Sequence, residues 1–384
     1  MPAKTQQALY AGIDLELSWS EESLPQAMRT KHVHALHPYL GKFVPQLVEV
    51  FLKRLFEPGD CVYDPFCGSG TTLIESNVYG CEALGCDISA FNCLLARVKT
   101  GRHPLPTLEL ALRSTLEQAR RDGPAACEGA GEWPRRWYAP EALGELLAYR
   151  AAAERLDPPL RDVAWLVLSR AARSSRLTTH FDLDFPAAPV SAPYWCHKHK
   201  RTCRPVLEAF KFLRRYTDDT IRRLREFGEL QTGRPTHVLH DDARSVELPR
   251  RVTGIVTSPP YPGLIDYHEQ HRYAFELLPL RDRRLEEIGP ATLGRGRGAQ
   301  SAYVEAMVAS FRHASRFLPR RAPVVIVVND AHALYPEILE RSGLELEERL
   351  KRHVNRRTGR RAGEFFEDVL VCRSVTLAAR PSGP

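Results

Sequence analysis

Cys61-Val62-Tyr63-Asp64-Pro65-Phe66-Cys67-Gly68-Ser69-Gly70-Thr71-Thr72 is a short apolar strand running into a turn with two glycines. Glycines at that point let the backbone turn sharply and let a ligand lie against it. No lysine follows them, so this is not the phosphate-cradling loop of ATPases, and it is not a full dinucleotide fingerprint either. Leu73, Ile74 and Val78 then predict a helix. Ala83-Leu84-Gly85-Cys86 predicts a second strand ending in Asp87, and another helix is predicted from about Ser89 to Lys99. Strand, helix, strand and helix with short connections predict a parallel α/β sheet.

Upstream, Leu47, Val48, Val50, Phe51 and Leu55 have the spacing of an amphipathic helix between Pro45 and Phe56, which Pro58-Gly59 ends. Downstream, the alternation stops, and residues 101–233 read as helix and loop. Ala142 to Leu168 and Pro205 to Phe227 carry helical spacing, and Phe181 to Tyr194 is an irregular, proline-rich connection. Strand signals resume at His237 to Asp242 and Gly254 to Thr257. They recur at Val324 to Val328 and at about Leu344 to Leu350 and Asp368 to Cys372. The expected organisation is a core split into residues 1–100 and 234–384 by a helical insertion over 101–233. A connection that long is a lobe with its own job.

The chain has 384 residues, 43% hydrophobic and 26% charged, which suits a globular fold with a sizeable core. Net charge is +7, from 54 Lys+Arg against 47 Asp+Glu, and it is carried by local runs. Nine irregularly spaced cysteines suggest no disulfide framework, and five of them lie in or beside apolar stretches, as in a reducing cytosol. Met1 to Asp14 is no signal peptide and no apolar run would span a bilayer, so a cytoplasmic location without membrane contact is expected.

Asp87 ends the second strand, where an acid can accept from both ribose hydroxyls, and Asp242 ends the third, where it can accept from an adenine amine. Together they suit a nucleoside without phosphate. Ser258-Pro259-Pro260-Tyr261 follows the next strand. Two prolines stiffen a loop at the carboxyl end of a strand, where α/β sheets bind ligands. A hydroxyl plus a proline carbonyl can accept both N–H bonds of an exocyclic base amine. Tyr261 offers a flat face to an extruded base.

Asp64 to Thr72 together with Thr257 to Tyr261 resembles the bacterial DNA amino-methyltransferase family, over roughly residues 31–100 and 236–375. His37 to Phe43 resembles the family segment that closes over the methionine part of S-adenosylmethionine. The resemblance implies a Rossmann-like methyltransferase sheet that uses S-adenosylmethionine. By the same resemblance Tyr39, Lys42, Phe43, Asp64, Phe66, Gly68, Ser69, Gly70, Thr71, Asp87, Ile88 and Asp242 line the cofactor site. Ser258, Pro259, Pro260 and Tyr261 hold the target base. Serine at the head of that motif is typical of members acting on cytosine N4, whereas adenine N6 enzymes mostly carry Asp or Asn. Members with this motif order often place target recognition between the third and fourth strands or at the C-terminus. Here the large insertion follows the second strand.

Double-stranded DNA is the expected partner, with a separately acting restriction endonuclease as a possible companion in a restriction-modification system. Cys196 to Arg225 holds ten Lys/Arg against three acids, and Arg349 to Arg361 holds seven and no acid. Such runs are what phosphate contacts require. Lys198, Lys200, Arg201, Arg214, Arg215, Arg295, Arg297, Arg356 and Arg357 are the candidate DNA contacts. Cys196, His197, His199 and Cys203 fit no standard zinc spacing and sit among cations, so no metal is expected. Three rivals stay open: an adenine N6 enzyme, an RNA or protein amide methyltransferase, and a nucleic-acid-binding protein without catalysis.

Overall fold

The computed structural model describes residues 17–20, 22–39, 41, 43–180, 182–183, 186–354 and 365–375. Lys42, Arg356 and Arg357 lie outside the described residues. Seven strands form the main sheet: β1 (Cys61–Asp64), β2 (Glu82–Asp87), β5 (Thr236–His240), β6 (Gly254–Thr257), β7 (Pro323–Val328), β8 (Leu344–Val354) and β9 (Phe365–Ser374). Their order is β5-β2-β1-β6-β7-β9-β8. The first five are parallel, and β9 runs antiparallel between β7 and β8. The expected Rossmann-like sheet is borne out. Chain order reverses between β1 and β6, and that switch point opens a crevice at the carboxyl ends of the strands.

Alternate residues of the central strands bury opposite faces. Val62, Val256, Val325 and Val327 pack with Leu47, Val48 and Phe51 of the helix Pro45–Leu55. Tyr63, Ile255, Val324 and Ile326 pack with Met307, Phe311 and Ile338 on the other side. Burial on both faces is why these strands are continuously apolar.

The edge pair β8 and β9 is longer than the sequence predicts. Cross-strand ion pairs tie the two strands together: Arg349 to Asp368 at 3.0 Å and Arg373 to Glu347 at 2.9 Å. The first part of the basic run at 349–361 is therefore strand. Arg349 is tied to a carboxylate, and Arg352 is buried over Trp19, 5.5 Å from the ring centre.

Residues 101–233 hold the helices Leu105–Asp122, Glu132–Trp137, Pro140–Ala153, Pro158–Ser175 and Phe210–Gly228. Their apolar residues share one cluster with Phe91, Leu94, Leu95 and Val98 of the core helix Ala90–Thr100. The insertion thus packs on the helical layer of the core. Its last helix begins at Phe210, not Pro205, because Glu145 supplies the start: its carboxylate accepts from the Ala209 and Phe210 N–H groups at 2.5 and 2.8 Å. Leu207, expected on the apolar stripe, is 60% exposed. A two-stranded hairpin, β3 (Tyr194–Cys196) and β4 (Arg201–Cys203), occupies part of the stretch expected to be irregular or helical.

Candidate active site

A cleft of about 780 Å³, open to solvent, lies at the switch point. Tyr39, Phe43, Phe66, Gly68, Ser69, Thr71, Asp87, Ile88, Asp242, Ser258 and Pro260 line it. One hollow therefore brings together residues from five separated stretches of chain. Asp64 is buried behind it. Gly70 sits against the helix Ala90–Thr100.

The turn after β1 needs its glycines. Gly68 has φ +49°, and a Cβ there would stand 3.0 Å from the Tyr39 hydroxyl. Gly70 has φ +86°, and a Cβ there would meet Ala96 Cα at 3.2 Å. Both conformations are left-handed, which other residues rarely adopt.

Asp87 closes one end of the cleft. Its Oδ2 accepts from the Gly68 N–H at 2.8 Å. Its Oδ1 accepts from the Ser89 N–H at 2.8 Å and from Asn92 Nδ2 at 3.1 Å. Asn92 also donates to the Tyr39 hydroxyl at 3.1 Å. Burial pushes the Asp87 carboxyl up to about 6 despite these donors. A carboxylate offers about four lone-pair sites, so three donors leave room for another.

Asp64 is also pushed up to about 6 by burial. It accepts from the Thr257 hydroxyl at 2.6 Å and from the Phe66 N–H at 3.1 Å. Thr72 donates its hydroxyl to the Val256 carbonyl at 3.1 Å. Two threonines thus stitch the loop after β1 to the end of β6, just before Ser258.

Ser258 and Pro260 face the cleft, with Pro259 buried and Tyr261 half-buried behind them. Tyr303 donates to the Pro260 carbonyl at 3.0 Å, and the Tyr261 hydroxyl donates to Glu367 at 3.1 Å. The loop is held on the side away from the cleft. Asp242 lies on the wall, but its carboxylate is already gripped by Arg244, whose Nε is 2.8 Å from Oδ1. Burial pushes that carboxyl up, and Arg244 outweighs it, so it stays below its ordinary value.

The basic candidates separate. Arg295 Nε donates to the Gly263 carbonyl at 3.2 Å, two residues past Tyr261, and Arg297 begins the helix Arg297–Ser315. Lys198, Lys200 and Arg201 are exposed on the β3–β4 hairpin, and Arg214 and Arg215 on the helix Phe210–Gly228. None of these seven lines the cleft.

Sequence reasoning missed Asn92, Tyr267 and Glu287 in the lining. Ser89 caps the helix Ala90–Thr100 by accepting from the Asn92 N–H, and a serine before an apolar run is a legible signal for that pair. Tyr267 stacks on Tyr39 at 6.0 Å between ring centres, and nothing in the sequence joins those two.

The family model for DNA methylases matches residues 4–97. The Type II methyltransferase M.MjaII of Methanocaldococcus jannaschii is 35% identical over 441 aligned positions, covering 93% of this chain and 83% of that one. The chain belongs to the DNA amino-methyltransferase family. This amino-methyltransferase also matches, over a shorter stretch, the Type II methyltransferase M.MvaI of Kocuria varians. The two are 34% identical over 70 residues, 17% of this chain and 15% of that one. A tRNA (guanine(10)-N2)-dimethyltransferase of Methanocaldococcus jannaschii is 48% identical over 54 residues, 14% of each chain. S-adenosylmethionine is the expected cofactor of the amino-methyltransferase, as the sequence implies. The cleft fits that group: a backbone without a Cβ at Gly68 forms its floor, and the half-buried Asp87 carboxylate, with a lone pair to spare, closes its end. Among the described residues no helix is long and apolar enough to cross a membrane.

Proposed function

We propose that this amino-methyltransferase modifies the N4 amino group of cytosine in double-stranded DNA. A restriction-modification setting, with a separately acting endonuclease, or an orphan modification role both suit that activity. The relatives named Type II methyltransferases support the first. The observation that carries the assignment is Ser258: a neutral hydroxyl, not a carboxylate or amide, heads the loop in the cleft that also holds Gly68 and Asp87.

When bound, S-adenosylmethionine supplies an electrophilic methyl group. Gly68, Asp87 and Asn92 hold the nucleoside end, with Tyr39, Phe43, Phe66, Ser69, Thr71, Ile88 and Asp242 around it. A target base within a duplex must leave the stack to reach such a cleft. Tyr261 lies behind the lining residues Ser258 and Pro260, and the base stacks on the part of its ring left exposed there. The Ser258 hydroxyl accepts one N–H of the base amine. The Pro259 carbonyl accepts the other. Two acceptors on one amine favour a pyramidal nitrogen and free its lone pair from the ring. Ser258 is too weak a base to remove a proton beforehand at neutral pH. The proton therefore leaves to water after the nitrogen has gained its methyl group. Lys198, Lys200, Arg201, Arg214, Arg215, Arg295 and Arg297 hold DNA phosphates.

Digesting methylated DNA to nucleosides and weighing them tests the assignment. N4-methylcytosine is expected. N6-methyladenine would overturn the target atom and leave the family standing.

A further inference from the structure

The β3–β4 hairpin gathers four side chains outside the cleft. Tyr194 faces Cys203 and Cys196 faces Arg201 across the two strands. His199 lies in the turn between them, and His180 arrives from the segment after the helix Pro158–Ser175. One ligand-type atom from each of His180, Cys196, His199 and Cys203 lies within 4.8 Å of all the others. Cys196 Sγ is 3.6 Å from His180 Nδ1, and His199 Nδ1 is 3.5 Å from Cys203 Sγ. A tetrahedral zinc ion with ordinary Zn–S and Zn–N bonds sets sulfur and nitrogen about 3.6 Å apart along each edge.

We propose that His180, Cys196, His199 and Cys203 form a structural zinc site. Two thiolates and two imidazoles are a standard donor set, and four protein ligands leave no open position for chemistry. Linear spacing pointed away from this because it offered His197. The fold turns that residue out to solvent and brings His180 from 16 positions before Cys196.

The hairpin has a use for the ion. It pairs three residues with three, and two short strands alone are marginal. Lys200 holds φ +53° in the turn, a left-handed conformation that is uncommon outside glycine. Trp195 is 56% exposed, so packing contributes little there. The Tyr194 hydroxyl, 2.9 Å from His180 Nδ1, competes for that lone pair and would give up this bond to the ion. The other gathering of metal-type groups among the described residues, His32, His34 and Glu75, differs. There Lys31 Nζ already pairs with Glu75 at 2.9 Å.

The proposal is independent of the target base. The whole chain, purified without chelator, should carry one zinc per molecule by elemental analysis. Cobalt in place of zinc should give the strong visible absorption of a tetrahedral site with thiolate ligands. Cys196→Ser, Cys203→Ser and His180→Ala should each lose the metal, and His197→Ala should keep it. S-adenosylmethionine binding in the cleft, which none of the four residues lines, reports whether each variant has folded. If a variant fails that check, the wild-type metal content and cobalt spectrum decide alone. Absence of metal and of the cobalt bands would overturn the site. So would an intact mass two hydrogens low, marking a Cys196–Cys203 disulfide, or metal loss in His197→Ala with retention in His180→Ala.

Discussion

Thr257 donates its hydroxyl proton to Asp64 across 2.6 Å, and the two residues are 193 positions apart in the chain. Both are buried. Asp64 starts the glycine turn under the cofactor cleft, and Thr257 immediately precedes Ser258. One hydrogen bond therefore ties the glycine turn to the Ser258 loop, the two segments proposed to hold the methyl donor and the base amine. Thr257→Val keeps the shape and removes the donor. It should cost about 1–3 kcal/mol of stability, the scale of a hydrogen bond to a carboxylate; Asp64 keeps its bond from the Phe66 N–H. Turnover should fall more than cofactor affinity. Denaturant unfolding with steady-state kinetics checks both, and unchanged stability would show that the bond contributes nothing.

Asp87→Ala should weaken S-adenosylmethionine binding by about 1–3 kcal/mol, the range for hydrogen bonds to a charged acceptor. It also leaves the Gly68 N–H without its partner. Calorimetry that finds the wild-type affinity would remove Asp87 from the cofactor site.

Asp87 in the cleft and Asp64 behind it predict a pH dependence with a definite sign. Burial lifts Asp64 and Asp87 from the usual 3.8 to about 6. Between those values the folded chain binds more protons than the unfolded one. Their contribution to stability is thus complete below about 4 and is lost as pH rises through about 6. Ligand hydroxyls that donate to Asp87 favour its ionised form, so the two effects oppose each other. Cofactor affinity should fall as pH drops below 6, and Asp87→Asn should flatten that fall. A flat wild-type profile from about pH 8 to 5, a range that spans the raised carboxyl values, would contradict it.

Ser258→Ala should slow turnover and leave cofactor affinity nearly intact. Tyr261 separates into two parts. Tyr261→Phe keeps the ring and removes the hydroxyl that bonds Glu367 and Ser258, so use of DNA should survive better than with the ring gone. Tyr261→Ala removes the stacking face and should weaken productive DNA binding by about 1–3 kcal/mol. Equal damage from both substitutions would mean that the hydroxyl, not the ring, matters.

Neutralising Lys198, Lys200 and Arg201 together should weaken DNA binding and lower the salt slope by about one unit for each phosphate no longer neutralised. Replacing Arg295, which lies beside the Ser258 loop, should have its own effect on the slope. Equilibrium binding across a salt series measures both. A slope unaltered by the hairpin variant would leave DNA binding to other surfaces.

The main sheet was legible in the sequence because its cues are local. Strands β1, β6 and β7 are short apolar runs, and Gly68 and Gly70 mark a turn that few other residues could make. The acids at strand ends, Asp87 and Asp242, were legible for the same reason. Side-chain meetings across the chain were not. No pattern in the sequence couples Thr257 to Asp64, Tyr39 to Tyr267 or Arg244's grip to the role expected of Asp242. The same holds for the hairpin: linear spacing gave no standard zinc pattern, whereas the fold brings His180 within 3.6 Å of Cys196. Nor could charge counting show that Arg349 and Arg352 belong to an edge strand, since an arginine bound for phosphate and one bound for a neighbouring carboxylate look alike. Local conformation is set by residues a few positions apart, whereas a site is set by which distant residues the packed sheet and helices bring within about 3 Å of each other, the reach of a hydrogen bond.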